Sequence, residues 1–208
     1  MHKESYALGI SFGQELKRAG MQAKDVVFDD IIQGVRDIVE GATVKLDLAE
    51  ASETLNNLVS KKEAEMAIEN HKASDAFFAE NGKKEGVITM DDGLQYRVIK
   101  EGEGENIKED DVVLIQAYGS FLNGTRFWDT SKTSGPIRLN VGTELIEGLF
   151  KGLQLMKKGS HYSLFVPHNL AYGPHGTENF PGYAALVFDI EVIDVYSGGK
   201  VPRDEEES

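Results

Sequence analysis

Two rhythms of apolar residues divide the chain. Over roughly the first eighty residues they recur at helical spacing; from Gly86 onward they alternate or cluster as strands do. From Ser5 to Arg18, Leu8, Phe12 and Leu16 recur every fourth position and predict a helix with one apolar stripe. Gly9 and Gly13 lie four apart on an adjoining face, a pure cost to the helix unless another backbone approaches closely there. Asp25 to Glu40 reads as a second helix, capped by Asp25 or by Asp29. Phe28, Ile31, Ile32, Val35 and Ile38 form its apolar face, and Gly41 ends it. Asp47 with Glu50 three residues on has the form of a capping box. The helical pattern then runs from Leu48 through Leu55, Leu58, Val59, Met66 and Phe77 to about Asn81-Gly82. Roughly thirty residues at ~1.5 Å each make a rod of roughly 50 Å. Its middle, Ser60 to Asp75, is charged and Ala-rich, the character of a helix that bridges domains through solvent.

The second rhythm is that of a small sheet. Asp92-Gly93 is a turn signal before a strand at Leu94 to Ile99. Val112 to Tyr118 is a second strand, and Leu122-Asn123-Gly124-Thr125 a hairpin-type turn. Ile137 to Val141, His161 to Val166 and Ala184 to Val195 read as further strands. Leu145 to Met156 is the one helical segment among them. The fold class is therefore α+β: an all-helical N-terminal part with a long linker helix, then an antiparallel sheet packed on one short helix. The expected boundaries are 1–85 for the helices, 86–198 for the sheet domain and 199–208 for a solvating tail ending in Asp204-Glu205-Glu206-Glu207.

Composition narrows the partners. The formal net charge of −13 is the wrong sign for nucleic acid or an anionic membrane surface. The chain has no cysteine, which removes disulfides, thiolate metal sites and a cysteine nucleophile. No apolar run has the length of a membrane span, so no membrane insertion is expected. A polar helix-like stretch follows Met1 directly, which reads as cytoplasmic; a periplasmic chain beginning at its mature N-terminus is the alternative. His161, His168 and His175 are spaced by seven but fall on a strand and in loops without convergent carboxylates, so neither metal nor cofactor is expected. Three helices with so little core are marginal for a lone chain, and pairing of two chains would bury the leftover apolar faces.

The stretch from Phe127 to Phe188 is rich in apolar and aromatic residues, with Asp129 and Tyr172 as isolated polar groups. That is the composition of a pocket for an apolar ligand oriented by a few polar groups. The chain also resembles a known family here. Asp92-Gly93-Leu94-Gln95-Tyr96, Tyr118-Gly119 with Asn123-Gly124-Thr125, Glu147-Gly148-Leu149, Leu170-Ala171-Tyr172-Gly173 and Leu186-Val187-Phe188-Asp189-Ile190-Glu191 resemble, in order and spacing, the FKBP-type peptidyl-prolyl cis-trans isomerases. Ser5-Tyr6-Ala7-Leu8-Gly9 resembles the helical dimerisation domain of the bacterial Mip-like and FkpA-like branch.

The resemblance implies isomerisation of X–Pro bonds in folding polypeptides, chaperone activity and a homodimer joined through the N-terminal helices. It implies catalytic roles for Asp129 and Tyr172. It implies a substrate pocket walled by Phe127 or Trp128, by Ile137, Leu145, Ile146 and Leu149, and by Phe180 and Phe188. Ala117 stands where the family usually has Tyr, Ile137 where Phe is usual and Leu149 where Trp is common. One extra residue lies between Gly124 and Asp129, so either Phe127 or Trp128 takes the usual aromatic position. These departures reshape the pocket and bear on rate and drug-type affinity more than on fold. The rival reading is a binding module that grips apolar or Pro-containing segments without useful catalysis; a third is a structural dimeric scaffold.

Overall fold

The computed structural model describes residues 1–132, 135–143 and 145–200. It divides into two compact units, Met1–Met66 and the chain from Ala67 onward, the division falling inside the long helix.

In the first unit, α1 spans Lys3–Arg18 and α2 Phe28–Glu40, with a one-turn 3-10 segment, Ala23–Asp25, between them. Asp25 does not cap α2 as expected. It closes the 3-10 turn by accepting from the Gln22 backbone N–H at 2.8 Å and from Lys62 Nζ at 2.9 Å. Val27 stands at the N-cap of α2 with no side-chain bond, and Gly41 ends the helix in the left-handed region at φ 68°. α3 spans Leu48–Asn81, and Asp47 accepts from the Glu50 backbone N–H at 2.8 Å, as the capping pattern predicts. Lys62 also holds Glu65 at 2.9 Å. These two bonds, Glu65 first, raise the Lys62 pKa, and the Lys62 bond lowers that of Asp25. No residue of α1 is buried. Leu8 is 74% exposed, Phe12 48%, Val35 56% and Ile38 61%, so the apolar stripes of α1 and α2 are not consumed within the chain.

In the second unit, seven antiparallel strands among the described residues form one sheet: β1 (Val87–Thr89), β2 (Gln95–Lys100), β3 (Val112–Phe121), β4 (Arg126–Asp129), β5 (Ile137–Asn140), β6 (His161–Val166) and β7 (Leu186–Tyr196). The order is β1-β2-β6-β7-β3-β4, with β5 also pairing β3. Period-2 burial is clear on β3, where Val113, Ile115 and Ala117 are buried and their neighbours are not. On β7, Leu186, Phe188, Ile190 and Val192 do the same. β1 and β4 are short additions that the sequence pattern does not predict. β4 follows the expected hairpin turn, where Gly124 takes φ 82° and Phe121 N–H donates to the Thr125 carbonyl at 3.0 Å.

α4 spans only Glu147–Gln154, shorter than predicted, because Ile146 is extended at its N-cap (φ −61°, ψ 147°) and Met156 closes a tighter turn onto Leu153. It lies against the sheet through Gly148 and Gly152. A Cβ on Gly148 would meet Val166 Cγ1, and one on Gly152 would meet Leu164 Cδ1, each well inside contact distance. The last turns of α3 belong to this unit: Ser74 is buried, the Phe77 ring lies 5.7 Å from Phe165, and Asn81 Nδ2 donates to Gln95 Oε1 at 3.0 Å. Among the described residues no helix is long and apolar enough to cross a membrane. The acidic tail from 201 on lies outside the described residues.

Candidate functional site

The buried face of β3 and β7 ends in a chain of aromatic rings. Gly119 of β3 pairs Phe188 of β7 and Trp128 of β4. Having no side chain, Gly119 leaves room for Phe127; a Cβ there would come within 2.6 Å of the Phe127 ring. The Phe127 ring lies 5.8 Å from Phe188 and 5.0 Å from Phe180, both edge to face, and 5.1 Å from Phe121. Phe180 stacks on Tyr172 at 4.0 Å with 20° between planes. Trp128 touches Phe188 edge to face at 6.2 Å. Ring contact is thus continuous from Tyr172 through Phe180 and Phe127 to Phe188 and Trp128. Leu149 is buried beneath, at 6% exposure, and Ile137, Leu145 and Ile146 pack half-buried against the same core.

The extra residue before Asp129 is absorbed by a bulge. The register of β3 with β4 runs Tyr118 to Asp129 and Gly119 to Trp128, then skips to Ser120 with Arg126, leaving Phe127 unpaired. Phe127 and Trp128 therefore both reach the aromatic cluster. Phe127 touches three of its rings and Trp128 one.

Tyr172 sits just after a 3-10 turn, His168–Leu170, that follows Pro167. Gly173 N–H donates to the His168 carbonyl at 2.8 Å and holds the turn shut. The ring is half-buried, and burial raises the phenol pKa. Among the described residues its hydroxyl has no hydrogen-bond partner, so it is free to donate to a ligand carbonyl.

Asp129 is not brought to this cluster. By register it shares the face of Tyr118, opposite to Phe188. Its carboxylate accepts from Ser131 Oγ at 2.6 Å and from Arg126 Nη1 at 2.7 Å, and both bonds hold its pKa below the usual carboxylate value. Arg126 in turn lies over the Tyr118 ring at 4.2 Å. A shallow cavity of about 240 Å³ on that face is lined by Tyr118, Arg126, Asp129, His161, Asp189 and Glu191 among others. A second, of about 270 Å³, lies near Glu103, Lys108 and Lys158. Neither includes a ring of the aromatic cluster. His161, His168 and His175 do not converge, and among the described residues no group of three or more His, Asp or Glu could hold a metal.

Phe121 is a member of the cluster that the family resemblance does not bring out. Its signal lies in the strand pattern: it continues the Ala117, Gly119 alternation onto the buried face. The loop that brings Phe180 onto Tyr172 carries no such signal, because its course depends on contacts from elsewhere in the chain.

An antiparallel sheet over one short helix, with an aromatic cluster at the end of its buried face and a Tyr172 hydroxyl without a partner among the described residues, is the arrangement that the resemblance to the prolyl isomerases implies. Comparison with known proteins agrees. Residues 103–193 match the model of the FKBP-type peptidyl-prolyl cis-trans isomerase, and residues 1–98 match that of the domain amino-terminal to it. The chain is 30% identical over 211 residues to the probable FKBP-type peptidyl-prolyl cis-trans isomerase FkpA of Neisseria meningitidis, covering 97% of this chain and 77% of that protein. It is 32% identical over 199 residues to the FKBP-type 22 kDa peptidyl-prolyl cis-trans isomerase of Escherichia coli, covering 92% and 93%. The outer membrane protein MIP of Legionella longbeachae is 33% identical over 201 residues, covering 93% and 84%. Among solved structures, FkpA from Escherichia coli superimposes with a TM-score of 0.68 at 30% identity, covering 93% of this chain and 95% of that one. The chain belongs to the FKBP-type peptidyl-prolyl cis-trans isomerases.

Proposed function

We propose that X–Pro bonds of unfolded or folding polypeptides are isomerised on the aromatic cluster, with Phe127, Trp128, Phe180 and Phe188 as walls and Tyr172 as the orienting donor. Ile137, Leu145, Ile146 and Leu149 complete the apolar lining. The observation that carries this reading is the unbroken ring contact from Tyr172 to Phe188, with a free hydroxyl at one end.

The chemistry asks for no covalent step. The barrier of ~18–20 kcal/mol is the loss of amide resonance on twisting. A twisted amide has less charge separation than a planar one, so an apolar wall that strips water disfavours the planar form more. This is binding that strengthens toward the transition state. The Tyr172 hydroxyl, donating to a carbonyl of the bound segment, holds the peptide while the bond turns. Asp129 takes the role of an orienting group for its own hairpin, through Arg126 and Ser131, and takes no proton from substrate. A protease-coupled assay on a proline tetrapeptide tests the reading; no acceleration at micromolar protein would contradict it.

The exposed stripes of α1 and α2 support a homodimer formed by the helical units, with Gly9 and Gly13 as points of close backbone approach. An added Cβ on either glycine meets nothing within 4 Å in the single chain. Two such chains would present two pockets to one client and act as a holding chaperone, tested by suppression of aggregation of an unfolding protein. The rival reading, a binding module with little catalysis, is favoured by Ala117, Ile137 and Leu149 standing where the family usually has larger aromatic residues. The name of the Legionella longbeachae relative favours the periplasmic reading of compartment over the cytoplasmic one. Fractionation of cells expressing the chain decides between them.

A further inference from the structure

The loop between Gly173 and Tyr183 delivers Phe180 to Tyr172, and it is fastened at its base by an unusual residue. Tyr183 is the one non-glycine residue among those described with positive φ, at 57°. Bulky side chains rarely adopt that conformation, and it persists only where surrounding contacts impose it. Here the contacts are rings. Tyr183 lies 4.4 Å from His71 of α3 and 4.8 Å from His168, and those two rings are 5.9 Å apart. Beside it, Asn70 Nδ2 donates to the Gly182 carbonyl at 3.1 Å. Tyr183 N–H donates to the Gly173 carbonyl at 3.0 Å and closes the loop. Within the loop, Thr177 N–H donates to the Phe180 carbonyl at 2.7 Å, and the Gly176 backbone crosses so close to Phe180 that a Cβ would collide with its carbonyl. The loop is a stiff unit whose far end is Phe180 and whose anchor is Tyr183.

We propose that Tyr183 is a positioning residue of the isomerase site: clasped between His71 of the long helix and His168, it fixes the loop so that Phe180 forms the pocket wall over Tyr172. The inference rests on the pocket assignment above. It adds that the last turns of α3 serve the active site, through His71 and Asn70. A glycine at 183 would remove the strain, and the position keeps a ring instead.

The test uses the full chain and three variants. Tyr183→Phe keeps the ring, Tyr183→Gly removes it while tolerating the positive φ, and His71→Ala removes the helix's half of the clasp without touching the loop. Each is read by KM and kcat on a proline tetrapeptide and by hydrogen exchange at the Thr177 and Phe180 amides. Losing a ring pair is worth up to about tenfold in binding. Tyr183→Gly is expected to raise KM about tenfold and His71→Ala about threefold, with kcat changed less than KM and Phe180 protection reduced in both. Tyr183→Phe keeps KM and protection. The proposal is overturned if Tyr183→Gly leaves KM and Phe180 protection as they were, or if KM rises with protection unchanged. It is overturned too if kcat alone falls. Should the unmodified chain fail to accelerate isomerisation, the pocket assignment falls, and Phe180 exchange by itself decides whether Tyr183 anchors the loop.

Discussion

Trp128 and Asp129 are neighbours in the chain with side chains on opposite faces of the sheet. Trp128 pairs Gly119 and touches Phe188 on the buried face; Asp129 pairs Tyr118 and is held by Arg126 and Ser131 on the other. The bulge at Phe127 sets this phase, since one added residue in a strand turns every later side chain over. An aromatic ring thereby stands on the face of the aromatic cluster, and the carboxylate stands on the other. Asp129→Asn should accordingly lower kcat/KM less than Tyr172→Phe does. A larger effect at Asp129, measured in the same peptide assay, would return the carboxylate to the chemistry.

Tyr172→Phe keeps the ring that stacks on Phe180 and removes only the hydroxyl. One neutral hydrogen bond is worth about 0.5–1.5 kcal/mol, so kcat/KM should fall roughly two- to tenfold. An unchanged value would mean that the hydroxyl does not touch substrate and that the apolar walls suffice.

Phe127 carries more of the cluster than Trp128. It touches Phe121, Phe180 and Phe188, and fills the space that Gly119 leaves. Truncating a buried Phe costs about 3–5 kcal/mol, and Phe127→Ala should approach the lower figure because its ring is half-buried. Trp128→Ala should cost less stability while raising KM. Urea denaturation beside peptide kinetics separates the two effects. Equal loss of stability in both variants would mean that the bulge does not divide their roles.

The same residues mark how far sequence alone reaches. The helices and the main strands follow from periodicity and turn chemistry, because those are local properties, whereas the ring-bearing positions of the cluster come from the family resemblance. The capping of α3 by Asp47 is legible because it too is local. Asp25 has the look of a cap for α2, but its partner Lys62 is distant in sequence and outcompetes the nearer helix start. The face of Asp129 is illegible because a bulge depends on pairing with β3, and a two-residue ambiguity at Phe127-Trp128 decides it. Tyr183 is invisible as an anchor, since neither its positive φ nor its two histidine neighbours follow from the Pro181-Gly182-Tyr183 run.

The Tyr183 clasp should make the site sensitive to acid. The titratable groups facing His168 are His71 and Asp75 of α3 and the Tyr183 phenol. Burial lowers the His168 pKa, a charge on His71 lowers it further, and Asp75 opposes them. A value lowered in the docked state means that the undocked loop binds more protons between the docked value and the ordinary one of about 6.5. Docking is therefore complete above about pH 6.5 and weakens as pH falls through the lower, docked value. KM should rise on acidification below about pH 6.5, and His168→Phe should flatten that rise. A KM independent of pH in the unmodified chain would count against the clasp as a titrating device.

The dimer is tested by charge. Phe12 and Val35 are 48% and 56% exposed in the single chain, so Phe12→Asp and Val35→Asp disturb little within it. In a dimer each would bury an unpaired carboxylate, a cost of several kcal/mol. Light scattering at micromolar concentration should give twice the chain mass for the unmodified protein and the single-chain mass for the double variant. A single-chain mass for the unmodified protein would overturn the dimer.

The contacts at the end of α3 argue for an isomerase domain that begins earlier than the change in sequence rhythm at Gly86. Gln95 is 3% exposed, and among the described residues its amide is satisfied by α3: Asn81 donates to it, and it donates to the Phe78 carbonyl at 2.9 Å. Phe77 lies on Phe165, and His71 on Tyr183. Deleting residues 1–66 leaves all of these contacts in place. Deleting 1–85 removes them and uncovers Phe165 and the Gln95 amide together. Two lost hydrogen bonds at about 0.5–1.5 kcal/mol each, with the ring contact at about the same, amount to roughly 2–4 kcal/mol. For a domain of this size that lowers Tm by roughly 5–15 °C. Both deletions should fold as active monomers, but the shorter protein should melt lower and bind substrate with a raised KM, while the 67–208 chain keeps the KM of the full protein. Calorimetry and peptide kinetics on the pair check this directly. Identical Tm and KM would mean that the helix end is only a linker and that the domain is complete from Gly86.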